Sequence, residues 1–213
     1  MRLKYHFYPI VFALLSVSAS AYAQSLDDVL EAVQRNDATA ISEYLDRGLD
    51  PDITDAEGNT VLILAARLGS EDLVKLLLGR KADPRKRNPY GDTALMEACL
   101  EGHLAVAKLL VSAGSPLNGP GWTPLHYAAF AGAPDLVDYL LDRGANKDAL
   151  APNGYTALML AVRNGQEPAV RALLYRDPDL EVQGPRGETA LSIATEKGEK
   201  NLVALLRRAG AAR

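Results

Sequence analysis

A frame of the form Thr-x-Leu-x-x-Ala recurs along this chain, starting at Thr60, Thr93, Thr123, Thr156 and Thr189. The steps between copies are 33, 30, 33 and 33 residues. Each copy has a glycine two residues before the threonine (Gly58, Gly91, Gly121, Gly154, Gly187) and another nine residues after it (Gly69, Gly102, Gly132, Gly165, Gly198). Self-similarity at a fixed period in this range is the mark of a stacked repeat array, in which each unit buries its apolar face only against its neighbours. It excludes a single closed core. It also turns the functional question toward binding, because such arrays present long surfaces and seldom gather catalytic groups.

The frame has a local physical meaning. Threonine suits the N-cap of a helix, its hydroxyl accepting from an early backbone N–H. Pro124 follows Thr123 at the first helical position, where a missing N–H costs nothing. The glycine before each threonine suits a turn with positive φ, and the one after it a left-handed helix end. The alanines allow neighbouring helices to approach closely. Paired apolar residues at Leu77-Leu78, Leu110-Val111, Leu140-Leu141 and Leu173-Leu174 keep the same register and mark a second helix. That helix ends at Gly114, Gly144 and Gly210 in three of the copies.

One copy, Gly121-Trp122-Thr123-Pro124-Leu125-His126-Tyr127-Ala128-Ala129, closely resembles the ankyrin repeat, whose signature is T-P-L-H-x-A. The others keep the Thr and Leu without the Pro and His. The resemblance covers roughly residues 26 to 211. It implies an all-α fold: an ankyrin-repeat solenoid of about six helix-turn-helix repeats joined by β-hairpin-like loops. The repeats fall near 24–54, 55–87, 88–117, 118–150, 151–183 and 184–213. The first is disguised. One period before Thr60, Asp27 is expected as its N-cap, with Val29 and Ala32 in the apolar slots, Asn36 for the turn glycine and Gly48 after the second helix. The missing three residues of the short step fall between Gly114 and Thr123, where a shorter, stiffer finger is expected.

Residues 1–23 read as a secretory signal peptide. Arg2 and Lys4 precede an apolar run from Tyr8 to Ser18, and Ala21-Tyr22-Ala23 is a small-x-small cleavage signal. The run is short for a membrane span, and nothing after it is long and apolar enough for one. Cleavage after Ala23 leaves 21 basic and 27 acidic residues, a formal charge of −6. That balance disfavours nucleic acid, whose phosphates demand a basic footprint. Cys99 stands alone, so no internal disulfide forms, and its place among the alanines suggests a small buried hydrophobe. These features resemble exported ankyrin-repeat proteins of Gram-negative bacteria, with the periplasm expected and secretion as the alternative.

No constellation for catalysis, cofactor or metal binding is evident. His103 and His126 read as structural, in line with the family's Gly-His and T-P-L-H positions. Asp50-Pro51-Asp52 and Asp177-Pro178-Asp179 read as turn chemistry rather than a calcium site. The family's variable positions, four, three and one residues before the threonine and seven and eight after it, place candidate protein-binding residues at Tyr90, Leu100, Trp122, Phe130, Tyr155 and Arg163. Aromatic residues beside arginine are the usual composition of interface hot spots. The expectation is a monomeric, non-catalytic scaffold that binds a protein partner through its concave face. Some exported relatives of this type are linked to protection of an oxidative-stress enzyme such as catalase. A periplasmic immunity protein that neutralises a toxin and a secreted effector acting on host proteins are the alternatives.

Overall fold

The computed structural model describes residues 26–212. The expected signal peptide, residues 1–23, lies outside them. The described residues form twelve helical segments. Residues 26–34 belong to α1. The others are α2 (Ala38–Asp46), α3 (Val61–Arg67), α4 (Glu71–Gly79), α5 (Ala94–Leu100), α6 (Leu104–Ser112), α7 (Pro124–Ala131), α8 (Pro134–Asp142), α9 (Ala157–Arg163), α10 (Glu167–Leu174), α11 (Ala190–Glu196) and α12 (Lys200–Arg208). They pair as helix-turn-helix units and stack in chain order. The odd-numbered helices α3, α5, α7, α9 and α11 form an inner layer, and the even-numbered ones an outer layer.

The inner helices pack more closely than the outer ones. Their alanines explain this: Ala65, Ala98, Ala128, Ala161 and Ala194 are all fully buried, leaving no side chain to hold neighbouring backbones apart. Between the layers runs a spine of Leu62, Leu95, Leu125 and Leu158 from the inner helices and Leu73, Leu77, Leu110, Leu136 and Leu140 from the outer ones. Burying one such side chain is worth about 1.5–3 kcal/mol, and each is buried partly by its neighbours in the stack. At the C-terminal end α12 buries Leu202 and Leu206 and turns Arg207 and Arg208 to solvent.

Threonine is the N-cap residue at all five sites, and at four its hydroxyl makes the capping bond. The hydroxyls of Thr60, Thr93, Thr156 and Thr189 accept from the backbone N–H three residues on. Thr123 differs, because its hydroxyl lies 2.8 Å from Nδ1 of His126. The first repeat brings a correction. Asp27 is not an N-cap but an exposed residue inside α1, which includes Leu26. Leu26 packs against the core, and no glycine turn precedes Asp27 to stop the helix there. The rest of that register is as expected: Val29 and Ala32 are buried, Asn36 takes φ 56°, and Gly48 takes φ 97°. Where the second helix of a repeat ends without glycine, Lys81 (φ 70°) and Asp177 (φ 52°) adopt the left-handed conformation instead.

The turn glycines also serve packing between repeats. A Cβ on Gly69 would come within 2.6 Å of the His103 ring of the next repeat. That ring needs the space, because its Nε2 lies 3.1 Å from the carbonyl oxygen of Arg67 at the end of α3. Gln166 occupies the equivalent place two repeats on and donates to the carbonyl of Phe130 at 3.2 Å. In these two repeats the residue after the turn glycine thus satisfies a helix-end carbonyl of the preceding repeat.

The fingers between repeats are tight turns rather than strands, and the described residues contain one isolated antiparallel bridge, Thr54 with Thr60. Four fingers close with the same two backbone bonds. In the second repeat these are Asp55 N–H to Asn59 O, 3.0 Å, and Gly58 N–H to Asp55 O, 3.1 Å. The shortened finger before Thr123 makes neither bond. It is held from outside: Asn118 donates to Gly144 O at 2.9 Å and accepts from the Asn146 N–H at 2.8 Å. The Asp-Pro-Asp segments serve the same purpose. Asp52 accepts from the Asp83 N–H one repeat on, and Asp148 from the Asp179 N–H, each at 2.9 Å.

Candidate protein-binding face

The inner helices and fingers bound one continuous face. Along it, the residue seven places after each threonine stands next to the residue four places after the next threonine. Arg67 and Glu97 define the geometry: Nε–Oε2 is 3.0 Å and the second guanidinium nitrogen lies 3.3 Å from Oε1. Glu97 is nearly buried, so the forked pair is shielded from water on its acidic side. Repeated along the stack, this register gives Leu100 beside Tyr127, Phe130 beside Leu160, and Arg163 beside Ile193. The middle of the face is therefore apolar and aromatic, with charge on either side of it.

The candidate residues separate into two kinds. Tyr90 is 80% exposed and Phe130 45% exposed, and Arg163 also faces solvent. Leu100 and Trp122 are half-buried. Trp122 packs edge-on against His126, with ring centroids 5.8 Å apart, and leans on Tyr127 at 5.7 Å. Tyr155 corrects the expectation of an exposed aromatic ridge. It is only 5% exposed, and its hydroxyl donates to Glu188 Oε1 at 2.5 Å. At this offset the side chain lies beneath the next finger, so a tyrosine long enough to reach Glu188 is drawn under it. Arg163 stacks over the Tyr155 ring at 5.3 Å.

Tyr127 was not singled out from the sequence. It takes a slot held by Leu64, Leu160 and Ile193 in other repeats, and its hydroxyl donates to Asp92 Oδ1 at 2.5 Å. Burial, and then the Asp92 carboxylate, push its phenol well above the usual range. The signal was a polar-tipped side chain in an apolar slot, with an acid just before the preceding threonine. Leu68, 49% exposed, extends the apolar surface toward the first repeats, beside a cleft of about 250 Å³ lined by Leu30, Val33, Gln34, Asp55, Leu64 and Arg67. Leu150 and Tyr175 are the other large exposed apolar side chains.

His103, His126 and Cys99 are structural in their geometry. His126 is buried, its Nε2 lies 3.0 Å from Ala149 O, and its Nδ1 accepts from the Thr123 N–H at 3.1 Å. That arrangement fixes a neutral ring with the proton on Nε2. Desolvation holds its pKa below the ordinary histidine value. Cys99 is fully buried, and burial pushes its thiol far up. Among the described residues no group of three or more His, Cys, Asp or Glu side chains is gathered as a metal site would need. No described helix is long and apolar enough to cross a membrane.

The family model for ankyrin repeats (three copies) matches residues 29–120, 74–151, 113–184 and 149–212, overlapping across the whole described stack. This chain belongs to the ankyrin-repeat family. An ankyrin repeat protein of Rickettsia bellii is 32% identical over 146 residues, covering 63% of this chain and 42% of the relative. Protein phosphatase 1 regulatory subunit 27 of Mus musculus is 39% identical over 87 residues, covering 39% of this chain and 56% of that protein. Its Homo sapiens counterpart matches to the same extent. The matched stretch thus spans about half the length of these relatives. Ankyrin repeats are typically non-catalytic protein-interaction modules, and the family implies a protein partner.

Proposed function

We propose that this ankyrin-repeat protein is a non-catalytic scaffold, exported to the periplasm, that holds a protein partner against its inner face. The observation that carries the reading is the apolar centre of that face. Phe130, Leu100 and the outer part of Trp122 meet solvent there, with Tyr90 on a neighbouring finger. Exposed aromatic groups on a rigid stack lose little entropy on binding. The polar tips beneath them are already spent within the fold: Tyr127 on Asp92, Tyr155 on Glu188, and His126 on Thr123 and Ala149. What remains outward is largely apolar surface without an intramolecular partner.

Export rests on the basic start, the short apolar run and the Ala21-Tyr22-Ala23 signal. The partner class we propose, an enzyme of oxidative-stress defence, is what the resemblance to exported ankyrin-repeat proteins suggests. One relative is named as a regulatory subunit of a phosphatase, which is in keeping with an enzyme as partner.

The test joins location with binding. Cell fractionation should return a chain beginning at Gln24 from the periplasmic fraction. The purified protein, immobilised, should capture one abundant enzyme from periplasmic extract, and Phe130→Ala should weaken that capture by about tenfold or more, the hot-spot range. The reading fails if the full chain stays in the cytosol, or if Phe130→Ala and Trp122→Ala both leave capture unchanged.

A further inference from the structure

Cations on this surface are for the most part answered by carboxylates. Arg67 pairs with Glu97, Arg80 with Asp46, and Arg176 with both Asp138 and Asp142. At the C-terminal end of the inner face the pattern changes. A cleft of about 270 Å³ opens between α9, α11 and the last finger, walled by Tyr155, Arg163, Arg186, Ile193, Glu196 and Lys197. Arg163 is positioned there by the ring of Tyr155, and among the described residues it pairs with no carboxylate. Lys197 is positioned by a backbone group: its Nζ donates to Arg163 O at 2.7 Å. Arg186 is partly engaged, with Nε 3.3 Å from Glu188 Oε1.

The acids nearby cancel only part of this charge, since Glu188 is paired with Arg186. Glu188 is turned inward, accepting from the Tyr155 hydroxyl at 2.5 Å and from the Arg186 N–H at 2.8 Å. Those bonds, the Tyr155 one foremost, hold its carboxyl down to about 2. Glu196 is exposed on the rim and makes no ion pair among the described residues. The cleft thus has three cations on its walls, Arg186 paired with Glu188 and the other two facing the one unengaged acid, in a chain whose overall formal charge is −4.

We propose that this cleft is a docking site for an acidic segment of a protein partner, with Arg163 and Lys197 receiving a side-chain carboxylate. The inference rests on the scaffold reading and gives one end of its face a chemical preference. A guanidinium stacked on an aromatic ring is fixed in place while its edge still offers parallel N–H donors. A carboxylate arriving there makes a charge-assisted bond without displacing an internal partner, and little side-chain freedom remains to be lost. The surrounding negative charge disfavours a long polyanion such as nucleic acid, whereas one or two carboxylates on a polypeptide fit the cleft. Ile193 and the edge of Tyr155 supply apolar contact for the stem of a glutamate.

The test is an amide NMR titration of the purified protein with an acetylated tetraglutamate amide, with tetralysine amide and inorganic phosphate as the other probes. Tetraglutamate should shift the amides of residues 155, 163, 186, 193 and 197, and the shifts should weaken steeply as salt rises from about 50 to about 200 mM. Lys197→Gln and Arg163→Gln should each lower the affinity by about fivefold or more. Lys197→Gln leaves the Tyr155 stack intact but removes the bond to Arg163 O, so a thermal melt of the variant is read beside its affinity, and lost affinity with an unchanged melt marks a binding effect. Absence of shifts in this region, equal binding by the Lys197→Gln variant, or the same shifts from phosphate at the same concentration would each overturn the proposal. If tetraglutamate fails while Phe130→Ala still abolishes capture of the partner enzyme, this inference falls and the scaffold reading stands.

Discussion

His126 should make the stability of this array depend on pH. The ring is buried and neutral, with the Nε2 proton given to Ala149 O at 3.0 Å and Nδ1 accepting from the Thr123 N–H at 3.1 Å. Protonating Nδ1 would set a donor against that N–H inside the stack, with only the Thr123 hydroxyl 2.8 Å away able to turn and accept. The native pKa therefore lies below the ordinary value of 6.5, with desolvation as the main cause. A group depressed in the folded state contributes stability above its unfolded pKa and loses it as pH falls, because the unfolded chain takes up the proton first. Lowering pH from about 7.5 to about 5.5 should therefore lower stability, by at most about 1.4 kcal/mol, the equivalent of one proton over one pH unit. The local slope near pH 5.5 should be at most about 1.2 kcal/mol per unit. Urea unfolding across that range measures it. His126→Gln lowers stability at every pH but removes the titrating group, so its slope should be shallower by that amount. An unchanged slope in His126→Gln would refute the assignment of the proton to this ring.

Gly69→Ala combines a left-handed φ of 72° with a Cβ 2.6 Å from the His103 ring, and should cost about 2–3 kcal/mol by urea unfolding. Gly198→Ala has a similar φ of 73° but nothing within 4 Å, and should cost only about 1 kcal/mol; equal costs would mean that the Gly69–His103 contact is incidental. Lys81→Gly removes strain at φ 70° and should raise stability by up to about 1 kcal/mol in the same assay. Leu125→Ala empties a fully buried spine position and should cost about 2–5 kcal/mol, whereas Phe130→Ala, on a side chain 45% exposed, should cost under about 1 kcal/mol. The thiol of Cys99 should stay unreactive toward a disulfide reagent in the native protein and react at once in urea; prompt native reactivity would contradict its burial.

The fold was legible because repetition multiplies a weak signal. Only the copy at Thr123 carries the full motif, yet the helices, the positive-φ glycines and the buried alanines fall where the period of Thr-x-Leu-x-x-Ala places them. The place of Asp27 was misread because α1 includes Leu26, whose packing against the core no local motif encodes. The site was less legible for a related reason. A variable position fixes where a Cα lies, but exposure depends on how far the side chain reaches and what stands one repeat away. Trp122 and Tyr155 share an offset, yet one lies half-buried on His126 and Tyr127, and the other goes under the finger to meet Glu188. Pairings such as Arg67 with Glu97 span 30 residues, so they become visible only once the period is converted into adjacency.

That conversion also explains how one surface can be rigid and still free to bind. Polar groups close to the stack are used to join repeats: His103 and Gln166 reach back to helix ends, His126 reaches forward to Ala149, and Asp52, Asn118 and Asp148 tie finger to finger. Each link spans neighbouring repeats, so removing one should loosen a single interface rather than unravel the stack. The links also use up donors and acceptors that would otherwise need water or a ligand. What is left outward on the inner face is of two kinds, apolar surface around Phe130 and the cations Arg163 and Lys197 held by a ring and a carbonyl. A partner that presents an apolar anchor near an acidic segment meets both without breaking any internal bond. On that logic Phe130→Ala should act mainly on dissociation, while Lys197→Gln should act on association and on its salt dependence. Kinetic capture experiments on the two variants at low and high salt separate these effects, and a loss in both variants carried by the same rate constant would mean that the two regions do not divide the work in this way.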